Sequence, residues 1–593
     1  MLKLLKFLRP YWLSIIFIVM LLLGQALAEL FLPTLMAYII NDGIVDPIIN
    51  EGDARTYFVI EMGLRMLLIA LIAGSASIVA GYLSPRVAAG AARSLRRELF
   101  IKVESFSQAE FDKFSSASLI TRCTNDVGQV QALANIFARM LLYAPLMGIG
   151  GIIMAVSRSP RMSWIIALAV VVLIGIVVII VSIALPKFRI VQELTDKLNK
   201  VSREILHGLM VIRAFGTQHH EEEKFKQSNT DLKDMNLFLG RVMAFVGPCI
   251  TLIMGGTQVL VIWIGANHIA SYGMPIGDMM AFMQYSMQVI IAFMMISMIL
   301  VMLPRAQVSA ARIMEVLDTE LTINDPVSPV QFSDDGTSTV QLHNISFKYP
   351  NADAYALEEI SFTASPGETT AIIGATGSGK STIAQLILRL YDVTSGSITI
   401  DSTDIRKVTQ KDLRKKIGYV PQKGQLLSGT IASNISYGID DISTSQLNET
   451  HTNELQGESH ITKIAEIAQA LDFITEKEEG FHFEIAQGGK NVSGGQRQRL
   501  SIARALAKNP QVLIFDDSFS ALDFQTDAKL RKALKEYAVS ATVIVVAQRV
   551  GTIMNAEQII VLDEGKIVGM GKHDELLKSC PAYYEIASSQ GVV

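Results

Sequence analysis

The chain has 593 residues, 50% of them hydrophobic and 18% charged, with a net charge of −4 and a mean hydropathy of +0.35. That length exceeds a single core, the apolar excess argues against an ordinary soluble protein, and the near-balanced charge leaves no footprint for nucleic acid. Cys123, Cys249 and Cys580 stand far apart, with no CxxC and no paired histidines, which argues against a disulfide framework or a zinc site.

The N-terminal "MLKLLKFLRPYW" is basic, and the apolar run from Tyr11 to Ile40 is longer than the roughly 7–15 residues of a signal-peptide core. It reads as an uncleaved first membrane span that keeps Lys3, Lys6 and Arg9 in the cytoplasm. Apolar blocks long enough to cross a bilayer follow, and the spans are placed at 12–40, 60–84, 131–156, 162–186, 241–267 and 278–303. Segments 85–130 and 187–240 are long, charged and helix-patterned, and they carry most of the Lys and Arg of this half. The positive-inside rule puts both, and both termini, in the cytoplasm. Arg158 and Arg161, in a short outer connection, run against the rule.

Within the first span Glu29 lies near Gln25. An ionisable group at membrane depth is a functional candidate: it could attract a cationic substrate, be hydrogen-bonded between helices, or sit in water near the outer end. Arg139, near the start of the third span, reads as a side chain reaching for the cytoplasmic surface. The sixth span carries Met280, Met283, Met287, Met294 and Met298 at helical spacing. Flexible, polarisable methionines suit varied apolar guests, and Met283, Met287 and Met294 join Glu29 as candidate substrate contacts. Ordinary helix packing or lipid contact is the simpler reading of such a stripe.

Residues 1–318 thus read as a membrane domain, 319–338 as a polar linker, and 339–593 as a soluble α/β domain. Short β-branched runs there ("TTAIIG", "GSITI", "KIGYVP", "VLIFD", "ATVIVVAQ", "QIIVLDEG") alternate with helical stretches, as in a mostly parallel sheet flanked by helices. Residues 441–460 are polar without apolar period and read as a solvated loop. "GATGSGKST", residues 374–382, stands between a strand and a helix, the context of a phosphate-binding loop. Gly374, Gly377 and Gly379, with Thr376 and Ser378 between them, let backbone N–H groups wrap the phosphates of ATP. Lys380 can reach the β- and γ-phosphates, and Ser381, followed by Thr382, can ligate Mg²⁺. "VLIFDD" ends a buried strand at Asp516, a second Mg²⁺ ligand, and Asp517 follows where a catalytic glutamate is expected.

"NVSGGQRQRLSIARAL", residues 491–506, resembles the signature sequence of ATP-binding cassette (ABC) proteins. Six spans followed by one such domain resemble a half-transporter of the ABC exporter type, and the resemblance covers essentially the whole chain. It implies a six-helix transmembrane domain, a P-loop ATPase domain, and a dimer in which Ser493, Gly494, Gly495 and Gln496 contact nucleotide held by the other subunit. It further implies that Tyr349 stacks on adenine, Gln422 senses Mg²⁺ and couples to the membrane domain, and Asp523 closes the loop ("SALD") that crosses between sites. "EIAQGG", from Glu484, matches the segment facing the coupling helices, with Gln487 in place of an acid. "EFDKFSSASLITRCTNDV" (110–127) and "GLMVIRAFGTQHHEEEKF" (208–225) resemble cytoplasmic loops carrying short transverse helices that dock on ATPase domains.

Two further departures fall at the hydrolytic end of the nucleotide site. Asp517 is one methylene shorter than the usual base, and Gln548, in "VIVVAQRV", replaces the usual histidine. A base must come within roughly 2.6–3.2 Å of its proton, a displacement of about 1 Å can cost about a hundredfold, and glutamine cannot carry a proton there. Drift with a compensating water is the bland alternative. A nearly ideal signature, with Val492 for the usual leucine, beside a weakened base is expected of the degenerate-site subunit of a heterodimeric multidrug exporter in the bacterial inner membrane, paired with a non-identical half-transporter and moving small apolar or cationic substrates. Lipid, peptide or haem-related export, or a nucleotide-binding regulatory subunit, are the rival readings.

Overall fold

The computed structural model describes residues 2–45, 52–271, 274–332, 338–350, 352–439 and 451–592. By contact the chain divides into two compact units, one of residues 1–104 and 116–319 and a second of residues 105–115 and 320–593.

The first unit is all-helical. Its long elements are α1 (Trp12–Tyr38), α2 (Gly52–Glu104), α3 (Val127–Arg158), α4 (Ser163–His207), α5 (Gln218–Ala244), α6 (Val246–Ala270) and α7 (Ile276–Leu317). Among the described residues six helical stretches are long and apolar enough to cross a membrane, with α5 and α6 contributing to a single stretch, Gln218–Ala270. At 53 residues, α2 is about 80 Å long, far more than a bilayer requires, so the span continues as a helix beyond it. Leu64, Leu67, Leu68, Leu71 and Ile72 of α2 are exposed, as are Val171, Val178 and Ile179 of α4. Such apolar outer surface suits lipid rather than water. Inside, Phe282, Tyr285, Val289 and Ala292 of α7 pack on Ala26 and Leu30 of α1 and Met147 and Ala155 of α3. The Tyr285 hydroxyl bonds Thr34 at 2.7 Å and donates to the Leu30 carbonyl. Arg158, the cation that runs against the positive-inside rule, is paired with Asp278 at 3.0 Å.

The second unit has two main sheets. An antiparallel sheet is ordered β2-β1-β4-β5 from β1 (Val340–Phe347), β2 (Leu357–Ala364), β4 (Ser395–Ile400) and β5 (Thr403–Asp404). A six-stranded sheet is ordered β10-β9-β3-β8-β7-β6 from β3 (Thr369–Gly374), β6 (Ile417–Val420), β7 (Val512–Asp516), β8 (Thr542–Val546), β9 (Gln558–Asp563) and β10 (Lys566–Gly571). It is parallel except for the β9–β10 edge. The run "GSITI" therefore belongs to the antiparallel sheet and not to the parallel one, because its partner is β1. Strand β7 is buried along its whole length, which is why it reads as a continuous apolar run. The expected loop at 441–460 is corrected in part. Residues 441–450 lie outside the described residues, but His451–Ile467 is helical. Ile464 and Ala465 near its end, and Ala468 just beyond it, are buried in the apolar core, a feature that its polar beginning conceals.

Candidate nucleotide site

Parallel pairing brings the carboxyl ends of three strands together, with Val546 opposite both Asp516 and Ile372. Ligands of open α/β sheets bind outside such ends. β3 ends at Gly374, where an added Cβ would lie 2.1 Å from the Leu562 carbonyl oxygen. The loop then passes Gly377 and Gly379, both at positive φ, into α8 (Lys380–Ile387). Only glycine enters this tight turn without strain, and the turn aims the free N–H groups of the helix start at one point.

Lys380 is 8% exposed, and its Nζ donates to the carbonyls of Gly374 (2.9 Å) and Ala375 (2.6 Å). Burial lowers the pKa of its ammonium, while Asp517 and Asp516 pull it back. The Ser381 hydroxyl donates to Asp516 Oδ1 at 2.8 Å, and Tyr419 of β6 donates to Oδ2 at 3.4 Å. Burial raises the Asp516 carboxyl above its usual range, against the bonds from Ser381 and Tyr419. A pair of oxygens that close, in a pocket already holding a buried ammonium, fits a Mg–nucleotide.

Asp517 takes a left-handed backbone (φ 46°), and its N–H is tied to the Val546 carbonyl at 2.9 Å. Gln422 and Gln548 both donate to its Oδ2, at 3.1 and 3.0 Å. Structure thus gathers Lys380, Ser381, Asp516, Asp517, Gln422 and Gln548 around one point. Tyr349 bonds Thr382 at 2.8 Å and Gln385 at 3.3 Å, and meets Phe347 and Tyr391 edge to face.

The signature residues open a separate helix, α9 (Gly494–Ala507). Ser493 caps it by accepting from the Gln496 N–H at 3.2 Å, while Gln496 Oε1 accepts from Ser493 N, a reciprocal box that leaves the glycines at the helix mouth. Asp523 caps α10 (Phe524–Tyr537) through the Thr526 N–H.

Three supporting residues were not singled out in the sequence. Tyr419 reaches Asp516 as described. Gln498 of α9 bonds the Gly424 N–H and the Pro421 carbonyl on either side of Gln422. Gln590, near the chain end, accepts from Val550 N and donates to the Gln548 carbonyl, each at 2.8 Å. Gln498 stands inside a quoted motif, whereas nothing local marks Gln590.

The short helix Gln108–Phe114 groups with the second unit. Glu110 caps its start through Ser107 and accepts the Thr322 N–H at 2.9 Å; burial opposes its ionisation, but these bonds hold the carboxyl below its usual range. Tyr391, buried beneath it, donates to Asp112 at 2.7 Å. In the first unit the helix Leu209–Phe215 buries none of its side chains, and Met210 and Phe215 are 79% and 78% exposed.

Two family descriptions match, "ABC transporter transmembrane region" over residues 15–293 and "ABC transporter" over residues 357–520. An uncharacterised ABC transporter ATP-binding protein of Mycobacterium tuberculosis is 41% identical over 98% of this chain and 97% of its own length. The chain belongs to the ABC transporter family. Other ABC relatives include the uncharacterised YfiB of Bacillus subtilis, 35% identical over 99% of this chain and 98% of its own. The ATP-dependent lipid A-core flippase of Aliivibrio fischeri is 30% identical over 95% and 94%. A solved bacterial Atm1-family ABC exporter with ATP bound superposes with a TM-score of 0.78 at 23% identity over 98% of both chains, which establishes the fold. This ABC protein is accordingly an ATP-hydrolysing transporter, a multipass membrane protein with an exporter fold and a cytoplasmic ATPase domain.

The membrane candidates separate. Glu29 is held between α1, α3 and α7: Gln25 Nε2 donates to its Oε1 at 2.9 Å and the Tyr143 hydroxyl donates to its Oε2. Met283 and Met287 instead line a small gap against Met254, Thr257 and Gln258 of α6, and Met294 packs with another group on that side. Arg139 is exposed and points at Gly81 of α2.

Proposed function

We propose that this chain is one half of a heterodimeric exporter of the multidrug type in the bacterial inner membrane, and that its own site binds Mg–ATP but hydrolyses it slowly. In this reading residues 1–318 form the transport pathway with a partner, residues 319–338 link, and residues 339–593 bind nucleotide. The observation that carries it is the state of Asp517, whose Oδ2 takes two glutamine amides. A base must leave a lone pair facing the attacking water. This carboxylate is short by one methylene, engaged on one oxygen, and flanked by a Gln548 side chain that cannot take up a proton.

Binding is another matter. Lys380 and the loop N–H groups would hold the phosphates, and Ser381 and Asp516 would hold Mg²⁺, which neutralises charge on the β- and γ-oxygens when bound. Ser493 to Gln496 would present a helix start to nucleotide seated on the partner, completing the site at which hydrolysis is fast. The exposed apolar helix Leu209–Phe215 supports assembly, since such a patch in a soluble region marks a docking surface.

Purification of this chain alone, and together with a co-expressed half-transporter that carries glutamate and histidine at the equivalent positions, tests the reading. Slow ATP turnover alone and fast turnover together are expected. Equally fast turnover by a dimer of identical copies would overturn it. Kinship with a lipid A-core flippase favours a second reading, lipid export, which predicts stimulation of ATPase activity by lipid and none by apolar cations.

A further inference from the structure

We infer that Glu29 and Gln288 form a binding site, within the membrane, for an organic cation that carries N–H groups. The inference rests on the exporter reading and names its substrate class. The Glu29 carboxylate lies on α1 and is met from α3 by Tyr143 and from its own helix by Gln25. From α7, Gln288 Nε2 donates to the Glu29 backbone carbonyl at 3.2 Å. The other end of the same amide, Gln288 Oε1, is buried with no hydrogen-bond partner. Glu29 forms no ion pair among the described residues, and Arg139, one helical turn before Tyr143, is directed at Gly81 of α2.

Counting donors and acceptors shows what is missing. Tyr143 and Gln25 each give one hydrogen to a carboxylate that can accept about four. The amide oxygen of Gln288 receives none. A buried acceptor without a donor costs free energy, and a carboxylate inside a membrane without a cation costs more. Both deficits are relieved by one group: a protonated amine or amidinium, whose charge meets Glu29 and whose second N–H reaches Gln288. A neutral donor can fill the amide oxygen but leaves the charge of Glu29 unmet, and an anionic headgroup is repelled. The methionine stripe is not part of this site, because Met287 lies about 100° around α7 from Gln288.

The test is equilibrium binding to the full chain in lipid nanodiscs, with the partner where co-purified. Ethidium, a permanent cation with two amino groups, is titrated by fluorescence, and tetraphenylphosphonium, a cation without N–H, by displacement. Loss of one charge-assisted contact corresponds to about 10-fold or more in affinity. Glu29→Gln is expected to weaken ethidium by at least about 10-fold, and Glu29→Asp, which keeps the charge, to restore it to within about 3-fold. Gln288→Leu should weaken ethidium by about 5-fold and leave tetraphenylphosphonium within about 2-fold. Ethidium affinity equal in the wild type and in a monodisperse Glu29→Gln protein overturns the inference, as does equal loss for both probes in Gln288→Leu. Failure of the parent reading looks different: Glu29-dependent binding would persist while no partner accelerated ATP turnover.

Discussion

The phosphate end and the hydrolytic end of the nucleotide site grow from adjacent residues of one strand, yet they differ in how completely they are built. At the phosphate end, a glycine turn, a buried lysine held by two carbonyls and a serine–aspartate pair 2.8 Å apart are the groups proposed to hold nucleotide. At the hydrolytic end, one residue later, a shortened carboxylate shares a single oxygen between two amides, and a glutamine stands where proton affinity would be needed. Binding and turnover thus rest on separable side chains. On the proposed heterodimer reading, the chain keeps the first, to close against a partner, and has lost the second.

The largest expected effect breaks the strong end. Lys380→Met removes a charge that no neighbour replaces, and affinity for ATP should fall by about 100-fold, read by equilibrium binding. The next repairs the weak end. On the proposed heterodimer reading, Asp517→Glu with Gln548→His should raise turnover at this site by up to about 100-fold, measured in the assembled transporter with the partner's own base removed. Binding of nucleotide should change by less than about 3-fold. If the double variant turns over no faster, the defect lies elsewhere than in these two side chains.

How much of this was legible in the sequence follows from where the signal lies. The phosphate loop is contiguous, and every member of it is fixed by one turn, so Gly374 to Thr382 could be read directly. Six apolar runs gave the spans for the same reason. Asp517 was legible as a departure, but its two amide partners came from positions 422 and 548, joined only by the parallel pairing of β6, β7 and β8. Gln590 and Tyr419 carry no local mark, because a buried or loop-bracing side chain is defined by what the fold brings to it. The run "GSITI" had the right period for a strand and no information about which sheet would receive it. Gln25, near Glu29, was visible; Tyr143 and Gln288 were not, since helix packing alone brings them there.

A smaller effect concerns the acid at the boundary between the two ends. Asp516 is 5% exposed, and burial raises its carboxyl above the usual value. The folded protein therefore holds this proton more tightly than the unfolded chain, so its contribution to stability falls as pH rises upward from the ordinary aspartate range. Asp516→Asn should raise the melting temperature of the nucleotide-free protein at pH 7 by about 2–4 °C, the equivalent of roughly 1 kcal/mol. The gain should vanish near pH 4. The same variant should lose stabilisation by Mg–ATP, so the acid is retained at a cost to the fold for what it binds.

The smallest effect sharpens the contrast most. Gln590 bonds the backbone on both sides of Arg549, at the Gln548 carbonyl and the Val550 N–H, and touches nothing at the phosphate end. Gln590→Ala removes two neutral hydrogen bonds in a partly exposed setting, where water takes their place, and should cost about 1 kcal/mol in a melting experiment. If the two ends are independent, ATP affinity should stay within about 2-fold while residual turnover changes, because the amide of Gln548 is then free to leave Asp517. A parallel loss of affinity would mean that the backbone after β8 also shapes the phosphate pocket, and that weakness at one end of this site cannot be acquired without some weakness at the other.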